Sequence, residues 1–355
     1  GLYDLNLDGT VKTDTAGRPI ESYTNDQITE FARVFTGFTD QSTNNTGTGT
    51  GRTDFPSASA NYTAPMRMWE LQHDTGAKTL LNYPGARKAT LPANQTGLQD
   101  VNDAIDNIVE HPNTAPFISR LLIQRLVTSN PSPAYIGRVA AVFVDNGAGA
   151  RGDLLAVVKA ILLDNEARST SFIAGTNTGK LREPFLRLSH LLRSFRFTVV
   201  AGTLPYDFGS VTESTLGQFP LSSPSVFNFY SPDYEPPGPI GNAGLVGPEF
   251  QILNSVFAVT TPNAFYNLIQ NAAVGQFRID LTEQIALGAN PAALLDNLNL
   301  LLCHGMMSTE TRTTILTALQ GVTPTIAGGI NNVNITRARL AIYLTTLSPD
   351  FAALK

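Results

Sequence analysis

The sequence has little cysteine, little charge and no long apolar run. Its single cysteine, Cys303, excludes a framework of internal disulfides. Charged residues make up 15% of the chain and the formal net charge is -5, whereas about a quarter of the residues in a typical soluble domain are charged. Nucleic acid and anionic membrane surfaces are therefore poor partners. No apolar run approaches the roughly 20 residues of a membrane-spanning helix, so no transmembrane segment is expected in this region.

The common signatures of catalytic sites are also missing. The chain has no G-x-S-x-G elbow, no H-E-x-x-H helix, no haem-attachment motif and no Walker loop. The four histidines are too far apart in sequence for zinc-like spacing; they are His73, His111, His190 and His304. Cys303 and His304 could act together as metal ligands, but a buried thiol and a capping imidazole are common at the end of an apolar helix.

Apolar periodicity predicts a mainly α-helical fold, a multi-helix bundle with long Gly/Pro/Thr-rich loops and a small N-terminal β-hairpin. Composition divides the chain into four segments. They are residues 1–64 (hairpin, helix and Thr/Gly-rich loop), 65–200 (helical bundle), 201–248 (an ordered loop rich in aromatics and proline) and 249–355 (a C-terminal helical part). A capping box at Thr24 predicts the first helix. Later helices are predicted at 101–109, 114–127, 134–144, 154–167, 181–197, 249–270, 291–302, 308–320 and 335–347.

The N-terminal hairpin carries alternating oxygen ligands. Asp4, Asn6 and Asp8, followed by Gly9, match the first positions of a calcium-binding loop, whose odd positions face the ion. The match ends at Thr15, where a bidentate glutamate belongs. A turn at Asp8-Gly9 explains the same residues without an ion. We therefore favour the plain turn and expect no cofactor, with calcium as the one candidate.

Residues 71–81 place a histidine, an aspartate and a lysine around a glycine in apolar surroundings. His73, Asp74 and Lys78 could form a general acid/base set. An imidazole titrates near neutral pH, a carboxylate can hold its tautomer, and a desolvated lysine can stabilise an oxyanion. The alternative is structural, because polar groups in such a motif often satisfy buried backbone atoms. These three residues are the catalytic candidates.

Two further segments are candidates for binding. Residues 180–188 put charges at the start of a helix, where Arg187 can pair with Glu183 at four-residue spacing. Such a pair would fix the helix orientation, and an anion site is the functional alternative. The aromatic loop could stack on sugar rings, although such loops more often cover a core. Its aromatic residues are Phe227, Phe229, Tyr230 and Tyr234.

Several blocks of the sequence resemble, in order, a bacterial family catalogued as domain of unknown function 1800. They are residues 23–38, 71–81, 151–155, 180–188, 224–227, 247–250 and 339–344. The resemblance implies an exported protein, located in the periplasm, on the cell surface or in the medium. It also implies a helical region before the block that begins at Gly1. Members are often encoded beside domain of unknown function 1501, a family related to alkaline phosphatases.

Composition and resemblance together predict a non-catalytic binding or assembly component of the cell surface or extracellular matrix, since Thr, Asn, Ser and Gly keep a surface hydrated without strong charge repulsion. Expected partners are other proteins: a second copy, the chain's own N-terminal segment or a domain of unknown function 1501 protein. The alternative is a hydrolase-like enzyme that uses His73, Asp74 and Lys78, working with that phosphatase-like partner. An enzyme requires these side chains to converge on a concave pocket.

Overall fold

Helices make up most of the regular structure in the computed structural model, which describes residues 2–39, 63, 65–170, 175, 177–200, 208–209 and 211–354. The predicted mainly α-helical fold is confirmed. In chain order the α-helices are α1 (Asn25–Val34), α2 (Gly97–Glu110), α3 (Thr114–Leu126), α4 (Pro133–Val144), α5 (Leu154–Leu163), α6 (Asn165–Arg168), α7 (Pro184–Ser194), α8 (Glu213–Leu216), α9 (Pro239–Asn242), α10 (Phe257–Asn271), α11 (Thr282–Leu287), α12 (Pro291–Cys303), α13 (Thr309–Gln320), α14 (Val333–Leu347) and α15 (Pro349–Ala352). None of the helices in the described ranges combines the length and apolar character that crossing a bilayer requires.

Strands in the described ranges are two residues long and pair antiparallel. They are β1 (Phe38–Thr39) with β2 (Arg67–Met68), β3 (Lys78–Thr79) with β4 (Thr90–Leu91), β5 (Lys180–Leu181) with β9 (Ala353–Leu354), and β8 (Phe277–Arg278) between β6 (Thr198–Val199) and β7 (Ala273–Val274). The N-terminal ribbon is held by isolated bridges, which pair Leu5 with Val11 and Thr13 with Pro19. Its first turn uses Gly9 at φ +79°, where a side chain would be strained. Strand structure is thus limited to short ribbons.

The chain forms two compact units. Unit 1 consists of residues 1–123 and 131–165, and unit 2 of residues 124–130 and 166–355. Helix α7, which the sequence places with α2 to α5 in the segment 65–200, lies in unit 2. The segments 201–248 and 249–355 lie in unit 2 as well.

Polar side chains set several helix boundaries. The backbone N–H of Thr24 donates to Gln27 Oε1 (2.8 Å), which completes the predicted capping box of α1. The helix predicted at 249–270 starts later than expected. A 3₁₀ turn ends at Gln251, and the side chain of Asn254 then accepts the backbone N–H of Phe257 (3.1 Å), so α10 begins there. Local side-chain acceptors therefore override the apolar pattern at this junction.

A small apolar core in unit 1 holds the segment that carries the catalytic candidates. Its buried members come from helix α1, from the residue that follows strand β3, from strand β4 and from helix α2; they are Val34, Leu80, Leu91, Val101 and Ala104. Partly buried Phe31, Phe38 and Met68 pack against them. Residues 71–81 are therefore fixed between two helices.

Helix α14 lies at the centre of unit 2, in contact with α10, α11, α12, α13 and α15. Because neighbours surround it, the helix buries residues on several faces, including Ala341, Ile342 and Thr345. Thr345 satisfies its buried hydroxyl by donating to the carbonyl of Ala341 (2.8 Å). The central position of α14 explains why its apolar residues form no single stripe.

Close packing at the end of α11 leads to a first prediction. A Cβ atom on Gly288 would lie 2.5 Å from the carbonyl oxygen and 2.8 Å from Cα of Asn334. The substitution Gly288→Ala should therefore lower the free energy of unfolding by roughly 1–3 kcal/mol, the usual cost of overpacking. Denaturant unfolding followed by circular dichroism measures this change.

Gly321→Ala is the matched control. Gly321 also follows a helix of unit 2, has a negative φ (-71°) and keeps 3.4 Å between the added Cβ and the nearest atom. Its substitution should change stability by less than about 0.5 kcal/mol or raise it slightly. Equal effects of the two substitutions would contradict the packing described for α11 and α14.

Candidate functional site

His73 and Lys78 converge on one carboxylate inside unit 1. His73 is 6% exposed, Lys78 2% and Asp100 of α2 1%. His73 Nε2 lies 3.1 Å from Asp100 Oδ2, and Lys78 Nζ donates to the same oxygen at 2.6 Å. The sequence identified His73 and Lys78 as candidates. The third residue, Asp100, lies on α2, 22 residues after Lys78.

The other hydrogen bonds of His73 and Lys78 are made mainly with backbone carbonyls. His73 Nδ1 lies 3.0 Å from the carbonyl oxygen of Thr36. Lys78 Nζ donates to the carbonyl of Gly76 (3.0 Å) and to that of Asp74. With the bond to Asp100, all three ammonium protons have an acceptor. Neither side chain keeps a donor or acceptor directed at a substrate.

Asp74 does not join this cluster through its side chain. Arg33 of α1 binds its carboxylate through two nitrogens, Nε to Oδ2 at 2.9 Å and Nη2 to Oδ1 at 3.1 Å. The backbone N–H of Gly76 donates to the same carboxylate (2.8 Å). These bonds, led by those from Arg33, hold the pKa of Asp74 well below its usual range. Arg33 also pairs with Glu30 (2.7 Å), so this arginine ties α1 to residues 71–81.

Asp100 could have been recognised from the spacing of polar residues in α2. Asp100, Asp103 and Asn107 follow each other at intervals of three and four, and all three are buried. Asp103 accepts from Lys88 (3.2 Å), and Asn107 Nδ2 donates to the carbonyl of Leu81 (2.9 Å). A polar stripe at helical spacing can thus mark a buried face as well as a solvated one.

The calcium candidate residues lie on the N-terminal ribbon. The carboxylate of Asp8 accepts from the backbone N–H (3.0 Å) and the hydroxyl (2.6 Å) of Thr10. These bonds lower the pKa of Asp8. Asn6 donates to the same hydroxyl (3.0 Å), as in a turn stabilised by its own side chains. The described residues contain no group of three or more His, Cys, Asp or Glu suited to a metal ion. Calcium binding by Asp4, Asn6 and Asp8 stays a prediction.

A second polar cluster lies in unit 2, where Arg182 contacts two histidines. Its guanidinium donates to His190 Nδ1 (2.8 Å) and His304 Nε2 (2.9 Å). His190 Nε2 donates to the carbonyl of Leu301 (3.0 Å), which leaves Nδ1 as the acceptor and the imidazole neutral. Burial lowers the pKa of His190, and Arg182 lowers it further. Sequence spacing missed this cluster, because Arg182 and His304 are 122 residues apart.

Two cavities flank this arginine. One of about 510 Å³ is lined by Arg182, His190 and Arg193, among others. The other, of about 300 Å³, is lined by Cys303 and His304. Burial raises the pKa of the Cys303 thiol to about 11, so the sulfur is protonated at neutral pH and is a poor nucleophile or metal ligand. The cluster positions helix ends and offers no activated nucleophile.

The segment 180–188 distributes its other charges to separate partners. Lys180 forms a buried ion pair with Glu249 (2.8 Å). Glu183 accepts from the hydroxyl of Tyr230 (2.6 Å) and from the amide of Gln218. The expected pair between Glu183 and Arg187 is therefore wrong, because both carboxylate oxygens of Glu183 bind other residues.

A family model described as "Protein of unknown function (DUF1800)" matches residues 11–353. The chain belongs to the DUF1800 family. No curated protein and no solved structure gives a significant match. The resemblance of the sequence blocks to this family is confirmed.

The buried cluster of the DUF1800 chain leads to a second prediction. Asp100→Asn removes the carboxylate and leaves the ammonium of Lys78 buried without a counterion. Loss of one member of a buried ion pair typically costs about 3–5 kcal/mol, so the variant should unfold at a much lower denaturant concentration than the wild type.

Asp106→Asn is the control, since it removes the same charge from the exposed side of the same helix. It should change the free energy of unfolding by less than about 0.5 kcal/mol. If Asp100→Asn proved as mild as the control, the cluster would not hold unit 1 together.

The neutral histidine of unit 2 leads to a third prediction. Because the folded-state pKa of His190 lies below the ordinary value of 6.5, the unfolded chain binds more protons below that pH. Stability should therefore fall as the pH decreases below 6.5. His190→Gln should reduce this loss, because the amide can accept from Arg182 but does not titrate.

Urea unfolding of both proteins between about pH 7.5 and pH 5 measures the difference, since unperturbed histidine titrates in this range. At the upper pH the histidine is neutral in both states, so that comparison isolates any packing effect of the glutamine. Parallel pH profiles for the two proteins would contradict the burial of a neutral imidazole.

Proposed function

We propose that the protein is a non-catalytic binding or assembly component of the cell surface or extracellular matrix. The observation that carries the proposal is an apolar tip, defined as Leu221, Val226 and Phe227. Leu221 is fully exposed, Val226 is 95% exposed and Phe227 is 82% exposed. Exposed apolar side chains that cluster in a loop are typical of contact surfaces, whereas scattered ones need no explanation.

The loop that presents the apolar tip is anchored directly after the tip, at Tyr230 and Ser231. Tyr230 directs its hydroxyl to Glu183 (2.6 Å), and the guanidinium of Arg125 lies 4.0 Å from the centre of its ring. The backbone N–H of Ser231 donates to Gln251 (2.8 Å). An anchored loop loses less conformational entropy when it binds, so its apolar side chains contribute more to affinity. Full burial of one such side chain is worth roughly 1.5–3 kcal/mol.

The aromatic loop therefore divides into a covered part and a presented part. Tyr230 is 3% exposed, as expected for an aromatic that covers a core, while Phe227 points away from it. A ring presented in the same loop as two exposed aliphatic side chains suits a protein surface better than a sugar, because recognition of a sugar also needs polar groups around the ring. We infer that the partner is a protein, either a second copy of this chain or another extracytoplasmic protein.

The hydrolase alternative has less support. It requires His73 and Lys78 to face a space that a substrate can enter. Their nitrogen atoms are directed at Asp100 and at backbone carbonyls, and both side chains are almost fully buried. We interpret them as a tie that fixes residues 71–81 to α1 and α2.

Native mass spectrometry and sedimentation velocity of the protein purified from its own cells test the proposal. The wild type should be found in a complex, with itself or with a second protein of defined mass. Leu221→Ser, Val226→Ser and Phe227→Ser combined should dissociate that complex while the circular dichroism spectrum stays the same, since all three side chains lie outside the core.

A second triple variant controls for the general loss of surface apolar area. Leu300→Ser, Ile326→Ser and Ile330→Ser also remove three well-exposed apolar side chains from unit 2, which are 70%, 69% and 72% exposed. This variant should keep the complex. A wild type that stays monomeric at high concentration and binds no extracytoplasmic protein would overturn the proposal.

A further inference from the structure

Arg187 of α7 is a buried cation that the fold does not pair. The residue is 8% exposed, and its Nε and Nη2 atoms are fully buried without a hydrogen-bond partner among the described residues. Glu183, one turn earlier, is the natural partner in sequence, but it binds Tyr230 and Gln218 instead. An arginine at this depth normally has a carboxylate or carbonyl acceptor.

The absence of a partner has an energetic consequence. Burial lowers the pKa of Arg187 to about 10, which is still far above neutral, so the guanidinium carries its charge in the folded protein. A buried charge without a counterion is strongly unfavourable, because nothing replaces the water that it loses. An anion that bound at this position would remove the penalty and would be held tightly for the same reason.

A cavity of about 280 Å³ lies beside Arg187. Its walls come from α10, from the end of α14 and from neighbouring segments, and they are mostly apolar; they include Leu253, Phe257, Pro262, Phe265 and Leu347. The two polar neighbours, Thr261 and Thr346, donate their hydroxyl protons to the carbonyls of Thr215 (3.2 Å) and Tyr343 (2.7 Å). None of the lining residues is acidic.

The cavity is accessible from solvent. Ala258 and Leu347 line it and are themselves exposed, so its rim lies at the surface of unit 2. At roughly 30 Å³ per heavy atom, the share of one water molecule in the liquid, 280 Å³ accommodates about nine heavy atoms. One charged donor at the wall of an otherwise apolar cavity is the usual arrangement for a small amphipathic ligand.

We propose that this cavity binds a medium-chain fatty acid, whose carboxylate pairs with Arg187 and whose alkyl chain packs against Leu253, Phe257 and Phe265. A guanidinium forms strong, charge-assisted hydrogen bonds with a carboxylate. Octanoate, with eight carbon atoms and two oxygen atoms, is close to the size that this volume accommodates. The site is separate from the apolar tip, so it stands or falls independently of the proposed assembly role.

Isothermal titration calorimetry with octanoate, octan-1-ol and acetate tests the site. Octanoate should bind the wild type roughly tenfold or more tightly than octan-1-ol, because charge-assisted hydrogen bonds are about twice as strong as neutral ones. Acetate should bind weakly, since it lacks the alkyl chain. Octanoate should also raise the thermal unfolding midpoint of the wild type by mass action.

Arg187→Met keeps the length of the side chain and removes the charge. It should abolish the preference for octanoate and leave the affinity for octan-1-ol unchanged, which shows that the cavity is intact. Without ligand, its unfolding midpoint should equal or exceed that of the wild type, because no native partner is lost. Arg193→Met, which removes an exposed cation from the same helix, should bind octanoate like the wild type.

Three results would overturn the proposal: no octanoate binding to the wild type, equal affinity for octanoate and octan-1-ol, or unchanged octanoate binding by Arg187→Met. If Arg187→Met failed to fold, Arg187→Lys would replace it in the test. It keeps a cation at the wall and should retain the preference for octanoate. In that case the contrary result would be equal affinity of Arg187→Lys for octanoate and octan-1-ol.

Discussion

Most of the buried charges in this fold are paired, and the compensating group is usually far away in sequence. In unit 1 one oxygen of Asp100 contacts both Lys78 and His73, which come from the segment 71–81. In unit 2 Lys180 of β5 and Glu249 of a 3₁₀ turn pair in the same way. Neither contact forms unless these segments have already packed, and an unpacked segment would leave a charge without a partner.

This requirement also bears on the function. A histidine or lysine acts in catalysis when one of its atoms is free to exchange a proton with a substrate. The side chains of residues 71–81 have instead become part of the internal scaffold, and the two polar clusters both fix the ends of secondary-structure elements. Exposed apolar surfaces and cavities lined by an unpaired charge are better candidates for binding sites. The apolar tip exposes side chains that are not part of the core, and the charge of Arg187 has no counterion among the described residues.

Much of the fold could be predicted from local patterns. The capping box at Thr24 and the cap at Asp153 mark helix starts, because an oxygen acceptor at these positions satisfies the first N–H groups whatever the helix later packs against. Apolar residues at helical spacing also predicted α12 and α13. The junction before α10 was not found, since a single side chain, Asn254, overrides a continuous apolar pattern there.

The candidate site was predictable only in part. His73 and Lys78 stood out because they are polar residues in an apolar segment. Asp100 was missed because it precedes the predicted helix at 101–109, although its spacing from Asp103 and Asn107 marks a buried polar face. The predicted pairing of Arg187 with Glu183 was wrong because distant segments supply other partners for Glu183. Helical spacing places the two side chains near each other, but it cannot reveal that Tyr230 and Gln218 approach Glu183 from another part of the chain.

The sequence by itself therefore determined the helical class, many of the helix ends, the weak surface charge and the family, because each depends on residues that are close together or on composition. Tertiary structure alone decided which carboxylate receives each cation, that His73 and Lys78 are enclosed, and that Arg187 lines a cavity without a counterion. These features depend on distances between segments tens to hundreds of residues apart, which are set by packing and not by any local preference of the chain.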